Sequence, residues 1–303
     1  MSPPDAGAGT EVADFAQARI IDRGYRSYDG PRTGVPGAVR TVIRHSVQRA
    51  LGLRRSAWAK LLPLAAVIIA YLPAVVFVGI VALIPEDQRS LDFALPTYGD
   101  YYGFIIAAIM VFVALVAPEV LCTDRRSGML GVYLSSPLDR TTYLLAKAAA
   151  VASVLSLVCL GPPLLLLVAN MLQNQGPEGL SATMSTLWHV LVAGVAITAL
   201  FTGVTMGVAS LSDRKSVATA AIIMVFLFSI AVTGTLVAAG AGRAVYALSP
   251  TSLSLELAQR VHREYSPVLY GVSSSVVWGA WAVWTFGGFG VAWVRLQRLP
   301  VTR

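Results

Sequence analysis

The residues best suited to do chemistry lie in a charged segment between two long apolar runs. Asp124, Arg125 and Arg126 begin the segment, and Arg140 ends it. Between them, apolar residues recur at helical spacing, at Leu130, Tyr133 and Leu134. This pattern predicts a short helix that Asp124 caps and Pro137 ends. A short helix with an apolar stripe must bury that stripe, so we expect lipid headgroups or a groove on another protein to cover it.

The sequence contains none of the common catalytic signatures. It has no Gly-x-x-x-x-Gly-Lys-Ser/Thr phosphate loop, no His-Glu-x-x-His and no Gly-x-Ser-x-Gly. Its three histidines, His45, His189 and His262, have no cysteine or histidine neighbour at ligand spacing. We therefore predict no catalytic, cofactor-binding or metal-binding residue in this chain.

Glu119 and Lys147 are ionisable residues inside or beside apolar runs, where such residues are usually functional. Glu119 follows Pro118, which permits a kink, so one hypothesis is that Glu119 acts as a charge relay for movement of its helix. The alternative, which we favour, is an ion pair with Arg125 or Arg126 at the level of the headgroups. Lys147 is expected to extend along its helix to the headgroups.

Composition indicates the setting of these residues. Of 303 residues, 56% are hydrophobic and 13% are charged, whereas soluble domains average about a quarter charged residues. Six apolar runs are long enough to span a bilayer, and they are continuous rather than alternating, which favours helices over barrel strands. The predicted spans are Leu61–Ile84, Tyr101–Leu121, Leu144–Ala169, Leu187–Leu211, Val217–Gly240 and Val272–Val294. The predicted fold class is an all-α integral membrane protein.

The distribution of Lys and Arg predicts the orientation. With the amino terminus in the cytoplasm, the inner side carries 19 of the 23 basic residues. This asymmetry predicts that both termini are cytoplasmic. It also accounts for the net charge of +7 without any nucleic-acid partner. The first residues lack the charged and apolar regions of a secretory signal, so the first spanning helix is expected to direct insertion.

The remaining segments differ in character. Residues 1–38 read as a cytoplasmic strap, either extended or disordered, and residues 295–303 as a cytoplasmic tail. Val39–Leu53 has one apolar and one basic side, which predicts an interfacial helix within residues 39–60 whose arginines face anionic headgroups. The loop at 241–270 contains Ser249-Pro250-Thr251, which predicts a short outer helix. Small residues predict close helix contacts, within or between subunits: Gly203, Gly207, Gly287, Gly288 and Gly290.

The charged segment supports a resemblance to a known family. Its pattern is Pro118-Glu119, Asp124-Arg125-Arg126-x-Gly128-x-Leu130-x-x-Tyr133-Leu134-x-x-Pro137-Leu138-x-Arg140, then Tyr143 and Lys147. This resembles the signature of the six-helix permease subunits of type-two ABC exporters. The amphipathic helix, the short inner loop at 212–215 and the outer helical loop occur in the same order. The resemblance covers about residues 39–294.

The resemblance implies the function and the partners. A coupling helix at about 124–136 would sit in a cleft of a separate ABC ATPase subunit, present in two copies, which binds ATP and Mg. A second permease copy or a paralogue would complete the pathway, in contact with lipid in a bacterial plasma membrane. The residues implied in ATPase coupling are Asp124, Arg125, Arg126, Gly128, Leu130, Tyr133, Leu134, Pro137 and Arg140.

The resemblance also implies that helices two and five line the pathway. The candidate lining residues are Phe104, Phe112, Phe226 and Phe228. An apolar pathway favours an amphipathic or lipid-like cargo over a small ion. Two alternatives remain, a secondary carrier or channel not coupled to ATP, and a membrane-embedded enzyme. A carrier would need buried coupling charges or paired broken helices, and the sequence offers little of either.

Overall fold

The computed structural model describes residue 30 and residues 34–53, 57–84 and 96–299. All regular secondary structure in these ranges is helical, which confirms the predicted fold class. The helices are α1 (Gly34–Ala50), α2 (Ala57–Leu83), α3 (Tyr101–Arg126), α4 (Leu130–Leu134), α5 (Arg140–Cys159), α6 (Gly161–Leu172), α7 (Gly179–Ser210), α8 (Lys215–Ala238), α9 (Pro250–Val261) and α10 (Ser274–Gln297). A short 3₁₀ helix, Arg243–Leu248, precedes α9.

Six helical segments in the described ranges are long and apolar enough to cross a membrane, as predicted. They are Pro63–Leu83, Tyr101–Arg126, Arg140–Leu172, Gly179–Ser210, Lys215–Ala238 and Ser274–Gln297. Several helices extend beyond the predicted runs; α3, for example, continues from Leu121 to Arg126. Hydropathy marks only the part of a helix that suits hydrocarbon, so it cannot detect polar turns that continue the same helix.

The third span is broken, which the prediction of one continuous run at Leu144–Ala169 missed. α5 ends at Cys159 and α6 begins at Gly161, followed by Pro162 and Pro163. Because proline has no backbone N–H, Pro163 cannot donate to the Cys159 carbonyl four residues earlier. The Tyr102 hydroxyl donates to that carbonyl instead, at 2.9 Å.

A second tyrosine supports the same break from α2. The Tyr71 hydroxyl donates to the Leu157 carbonyl at 3.0 Å. A Cβ atom on Gly161 would lie 1.8 Å from the Tyr71 hydroxyl oxygen, so only glycine allows α2 to pack this closely. The break is thus built into the packing of α2 and α3 against the third span.

α3 and α7 form the centre of the bundle. The core is built largely from their side chains, including Phe112, Ile197 and Phe201, which are fully buried. α2, α8 and α10 lie at the periphery with many large apolar side chains exposed. An exposed apolar surface on this scale is expected of helices that face lipid or another subunit.

The glycines of α7 make a close contact within this chain, which is one of the two predicted kinds of contact. A Cβ atom on Gly203 would lie 2.3 Å from the Thr285 carbonyl oxygen of α10. A Cβ atom on Gly288 would lie 2.1 Å from the Gly203 carbonyl oxygen. Gly287 and Gly290 have no such neighbour within 4 Å. The small residues therefore bring the backbones of α7 and α10 together.

The predicted outer helix is present as α9, which begins after Ser249. Leu253 and Leu257 on α9 are fully buried against the bundle. Gln259 Nε2 donates to Asp100 Oδ1 at 2.8 Å, which ties α9 to the start of α3. We refer to the end of the bundle that carries α9 as the outer end and to the end that carries α4 as the inner end, after the predicted topology.

Candidate functional site

The turn between α3 and α4 depends on Gly128. Gly128 has φ of +69°, a conformation that favours glycine. Its N–H donates to the Arg125 carbonyl at 3.3 Å, and the N–H of Met129 donates to the Asp124 carbonyl at 3.1 Å. These two bonds form a Schellman motif, which ends α3 and starts α4 within two residues.

Asp124 is not the cap of the short helix, contrary to the sequence prediction. It lies inside α3, and the residue before α4, Met129, makes no side-chain capping bond. The other predicted boundary differs as well, because α4 ends at Leu134, before Pro137, which is exposed. Asp124 is instead fully buried and binds side chains from α1 and α5.

The Asp124 cluster joins three helices through charged and polar side chains. Arg49 of α1 donates from Nη1 to Asp124 Oδ1 at 2.5 Å. On the other oxygen, Lys147 of α5 forms an ion pair, and the Tyr143 hydroxyl donates at 3.1 Å. Lys147 also donates to Ser46 Oγ of α1 at 2.8 Å. Two cations and a hydroxyl around one carboxylate compensate for its removal from water.

This cluster corrects two predictions. Lys147 is only 1% exposed and does not reach the headgroups, because its ammonium group neutralises the buried Asp124. The prediction that the arginines of Val39–Leu53 face the headgroups is wrong for Arg49, which extends inward to the same carboxylate. The apolar side of α1 packs on protein, with Val42 and Ala50 buried.

Glu119 connects the Asp124 cluster to α8. Its carboxylate forms an ion pair with Lys215 at the start of α8, and Arg49 Nε lies 3.9 Å from its other oxygen. The favoured pairing with Arg125 or Arg126 is therefore wrong. Arg125 instead approaches Asp213, with Nε 3.2 Å from Oδ1, and donates from Nη1 to the Ser210 carbonyl at 2.6 Å.

α5 begins with a second well-defined boundary. The Asp139 carboxylate accepts the Thr142 N–H at 2.9 Å, and Thr142 Oγ1 accepts the Asp139 N–H at 3.0 Å, which is a capping box. The hydrogen bonds from Thr142 lower the pKa of the Asp139 carboxyl. Arg140 donates to the Leu296 carbonyl at 2.9 Å and so caps the end of α10. Its role in ATPase coupling stays a prediction.

The apolar stripe of α4 faces its own chain, and this overturns the expectation that it contacts a partner. Leu130 is 8% exposed and belongs to the core. Leu134 packs half-buried against the same core, and the ring centroid of Tyr133 lies 5.4 Å from that of Tyr143. The exposed apolar side chains on this segment are Met129 at 39% and Val132 at 60%.

The comparison with known families agrees with this architecture. A profile described as ABC-2 family transporter protein matches residues 84–294, more than two thirds of the chain. The chain belongs to the ABC-2 transporter family. The matched region of this ABC-2 permease includes α3 to α9 and α10 as far as Val294, and therefore the whole segment around α4. A comparison with curated proteins found no match.

The candidate pathway residues of the ABC-2 permease separate into two pairs. Phe112 and Phe226 are fully buried in the chain, and Phe226 packs edge-on against Phe201 with centroids 5.5 Å apart. They are part of the core, so their predicted role in lining a pathway is wrong. Phe104 and Phe228 are 56% and 66% exposed, and their role stays a prediction.

The outer end of the permease holds a histidine pair that sequence spacing did not reveal. The rings of His189 and His262 lie 5.9 Å apart, and Tyr98 stacks on His262 at 6.0 Å. Burial, with a smaller contribution from His189, lowers the pKa of His262 to about 4. No group of three or more metal-binding side chains occurs among the described residues.

Proposed function

We propose that this ABC-2 permease is the membrane subunit of an ATP-driven exporter and that α4 docks a separate ATPase subunit. The observation that carries the proposal is the construction of α4. One face is fixed to α3 and α5 by Leu130 and Tyr133, and the other exposes Met129 and Val132. Exposed apolar side chains on a short helix suit a groove on a partner protein.

Movement of α4 would be passed on through rigid contacts. The turn at Gly128 leaves no flexible linker between α3 and α4. Asp124 binds α1 and α5, and Glu119 binds α8 through Lys215. A displacement of α4 by the ATPase would therefore act on α3 and, through these contacts, on α1, α5 and α8, since networks of ion pairs and packed side chains can carry coupling between helices.

The remaining parts of the complex follow from the same proposal. ATP and Mg would be bound by the partner ATPase, because the sequence has no phosphate loop. Two permease chains, identical or paralogous, and two ATPase subunits would enclose the pathway. Phe104 of α3 and Phe228 of α8 are the proposed lining residues. Both termini would lie in the cytoplasm of a bacterial cell, with the bundle in its plasma membrane.

Co-purification tests the docking surface. An ATPase with a phosphate loop is sought among the genes next to that of the permease, co-expressed with it and recovered on the tagged permease. Val132→Asp should reduce ATPase recovery at least about tenfold, because it places a charge in an apolar contact. Val35→Asp, the same change at an exposed site on α1, should leave recovery unchanged. Equal recovery with both variants would rule out docking through α4.

The alternative of a secondary carrier gains one feature, the break between α5 and α6. Carriers use the freed carbonyls of broken helices to hold ions. Here the Cys159 carbonyl, which Pro163 leaves without its helical donor, accepts a bond from Tyr102, so it is less available to an ion. The break therefore supports a fixed bend better than an ion site.

A further inference from the structure

Two of the three histidines of the chain meet at the outer end, although they are far apart in the sequence. His189 lies on α7, and His262 directly follows α9. Their ring centroids are 5.9 Å apart and the rings are inclined at 52°, so they do not stack on each other. Both side chains are half-buried, whereas the third histidine, His45, is exposed on α1. The pair therefore belongs to the contact between α7 and α9.

The His262 ring has a buried nitrogen whose bonding capacity is unused. Its Nε2 atom is buried and has no hydrogen-bond partner. Tyr98 stacks on the ring with centroids 6.0 Å apart, and the Tyr98 hydroxyl accepts a hydrogen bond from Asn170 at 3.3 Å, so the plane of the His262 ring is held on one side. A buried polar atom without a partner is unfavourable. A group that binds to this nitrogen would remove that cost.

The separation of the two rings suits a single metal ion between them. An imidazole nitrogen binds Zn²⁺ at about 2.0–2.1 Å, which places two imidazoles on one ion roughly 5–6 Å apart, centroid to centroid. The 5.9 Å between His189 and His262 lies in this range. Imidazole suits zinc, copper and nickel, whereas Ca²⁺ and Mg²⁺ take oxygen ligands. The pair thus favours a transition metal.

The two histidines would supply only part of the coordination shell. No group of three or more metal-binding side chains occurs in the part of the chain that the structure describes. Two carboxylates of the outer end, Asp100 and Glu264, accept hydrogen bonds from Gln259 and from the N–H of Gly99. Water would therefore fill the remaining positions. Structural zinc sites are closed by four protein ligands, so an ion held by two should exchange readily.

We propose that His189 and His262 together bind a divalent transition metal ion and that this ion fastens α9 to α7. The sequence predicted no metal ligand, because the two histidines are not at ligand spacing along the chain. α9 is otherwise held by buried apolar side chains such as Leu253 and Leu257. A coordinate link at the end of α9 adds a restraint that depends on the metal. The site concerns the permease alone and does not require the proposed export function.

Isothermal titration calorimetry with Zn²⁺ tests binding to the purified full chain, which must carry no polyhistidine tag. One ion should bind per chain at neutral pH, at least about tenfold more tightly than Mg²⁺. His189→Phe and His262→Phe should each weaken Zn²⁺ binding by at least about tenfold, because each removes one of the two ligands. His45→Phe is the matched control and should bind Zn²⁺ as the unaltered protein does. Unfolding midpoints measured in the presence of a chelator show whether each variant is folded.

Two further measurements do not depend on the stability of the variants. Pulsed electron paramagnetic resonance of the protein loaded with Cu²⁺ counts the imidazoles on the ion, and we expect two in the unaltered protein. Hydrogen exchange tests the restraint on α9. Amide hydrogens of residues 250–262 should exchange more slowly after Zn²⁺ is added, and this effect should be absent in folded His262→Phe.

Several results would overturn the proposal. Zn²⁺ binding that survives both substitutions, or that His45→Phe weakens equally, would place the ion elsewhere. A count of one imidazole on Cu²⁺ would indicate a single surface histidine. Absence of binding to the folded, unaltered protein would mean that the two rings form no metal site. Bound Zn²⁺ without slower exchange in α9 would refute the fastening of α9 to α7.

Discussion

Asp124 is the residue on which the inner end of the permease depends. It is fully buried, and its two oxygens hold Arg49 of α1 and Lys147 of α5. An isolated buried charge is strongly unfavourable, so each member of this cluster requires the others. The cluster therefore holds α1 in place against α3 and α5.

Removing the charge of Asp124 should destabilise the whole bundle. In Asp124→Asn, the buried Lys147 and the partly buried Arg49 lose their carboxylate, which costs about 3–5 kcal/mol. We expect a clear fall in the midpoint of thermal unfolding, followed by tryptophan fluorescence. Lys147→Met added to Asp124→Asn should recover part of the loss, because it removes one unpaired cation.

Asp139→Asn is the control for this change. Asp139 is exposed and caps α5, and asparagine caps helices about as well as aspartate. Its unfolding midpoint should stay close to that of the unaltered protein. Equal midpoints for Asp124→Asn and Asp139→Asn would contradict the importance of the buried cluster.

His262 should make the outer end sensitive to acid. Its pKa of about 4 lies below the value of about 6.5 expected in an unfolded chain. The folded state therefore binds fewer protons, and stability is full above about pH 6.5 and falls as the pH drops toward 4. The groups next to the His262 ring are His189 of α7 and Tyr98. Two carboxylates in the same region, Asp100 and Glu264, bind other groups.

The measurement is the unfolding midpoint at pH 7 and at pH 5. The unaltered protein should lose stability over this interval more steeply than His262→Phe. Phenylalanine fits the site because His262 Nε2 is buried without a hydrogen-bond partner. An identical pH dependence in both proteins would mean that His262 does not carry the effect.

At the level of helices, α7 and α10 come together backbone to backbone. The glycines at this contact are the signal for it in the sequence. Gly288→Ala would place a methyl group 2.1 Å from the Gly203 carbonyl oxygen, and the two helices would have to separate. We expect a cost of about 1–3 kcal/mol, measured as a lower unfolding midpoint. Gly290→Ala, where nothing lies within 4 Å, should be neutral or slightly stabilising. A loss of the same size in both variants would mean that the contact with Gly203 is not its cause.

Some features of the helices could be predicted from the sequence, and others could not. Six spans and the amphipathic character of α1 were predictable because hydropathy and periodicity are local properties. The bounds of α1 were not, since it begins at Gly34, inside the predicted strap, and ends at Ala50. The break at Gly161-Pro162-Pro163 carried a local signal, yet the surrounding apolar residues masked it in a search for continuous runs. The inward orientation of Leu130 and Tyr133 was not predictable, since an apolar stripe does not reveal which protein covers it.

At the scale of the whole molecule, the ion pairs could not be predicted from the sequence. Arg49 and Asp124 are 75 residues apart, and Glu119 and Lys215 are 96 apart. Only the folded bundle brings them together, and nothing in their local sequence marks one as the partner of the other. Family membership, by contrast, was predictable from the spacing within the 118–147 segment, because that spacing belongs to a single continuous stretch.

The predicted topology, with both termini in the cytoplasm, can be tested on the whole molecule. The two buried thiols are first removed by Cys122→Ala and Cys159→Ala. A single cysteine is then placed at an exposed position, by Arg126→Cys in one variant and by Glu178→Cys in another. A membrane-impermeant maleimide added to intact cells should label the cysteine at 178 but reach the one at 126 only after permeabilisation. The reverse pattern would invert the proposed orientation.

The central claim is that α4 contacts an ATPase subunit through the face that carries Val132. The most direct measurement is photo-cross-linking in the assembled complex, with p-benzoyl-phenylalanine in place of Val132 or, separately, of Val35. We expect an adduct with the mass of permease plus ATPase from position 132 and none from position 35. Absence of that adduct at 132, in a complex that still retains its ATPase, would contradict the claim.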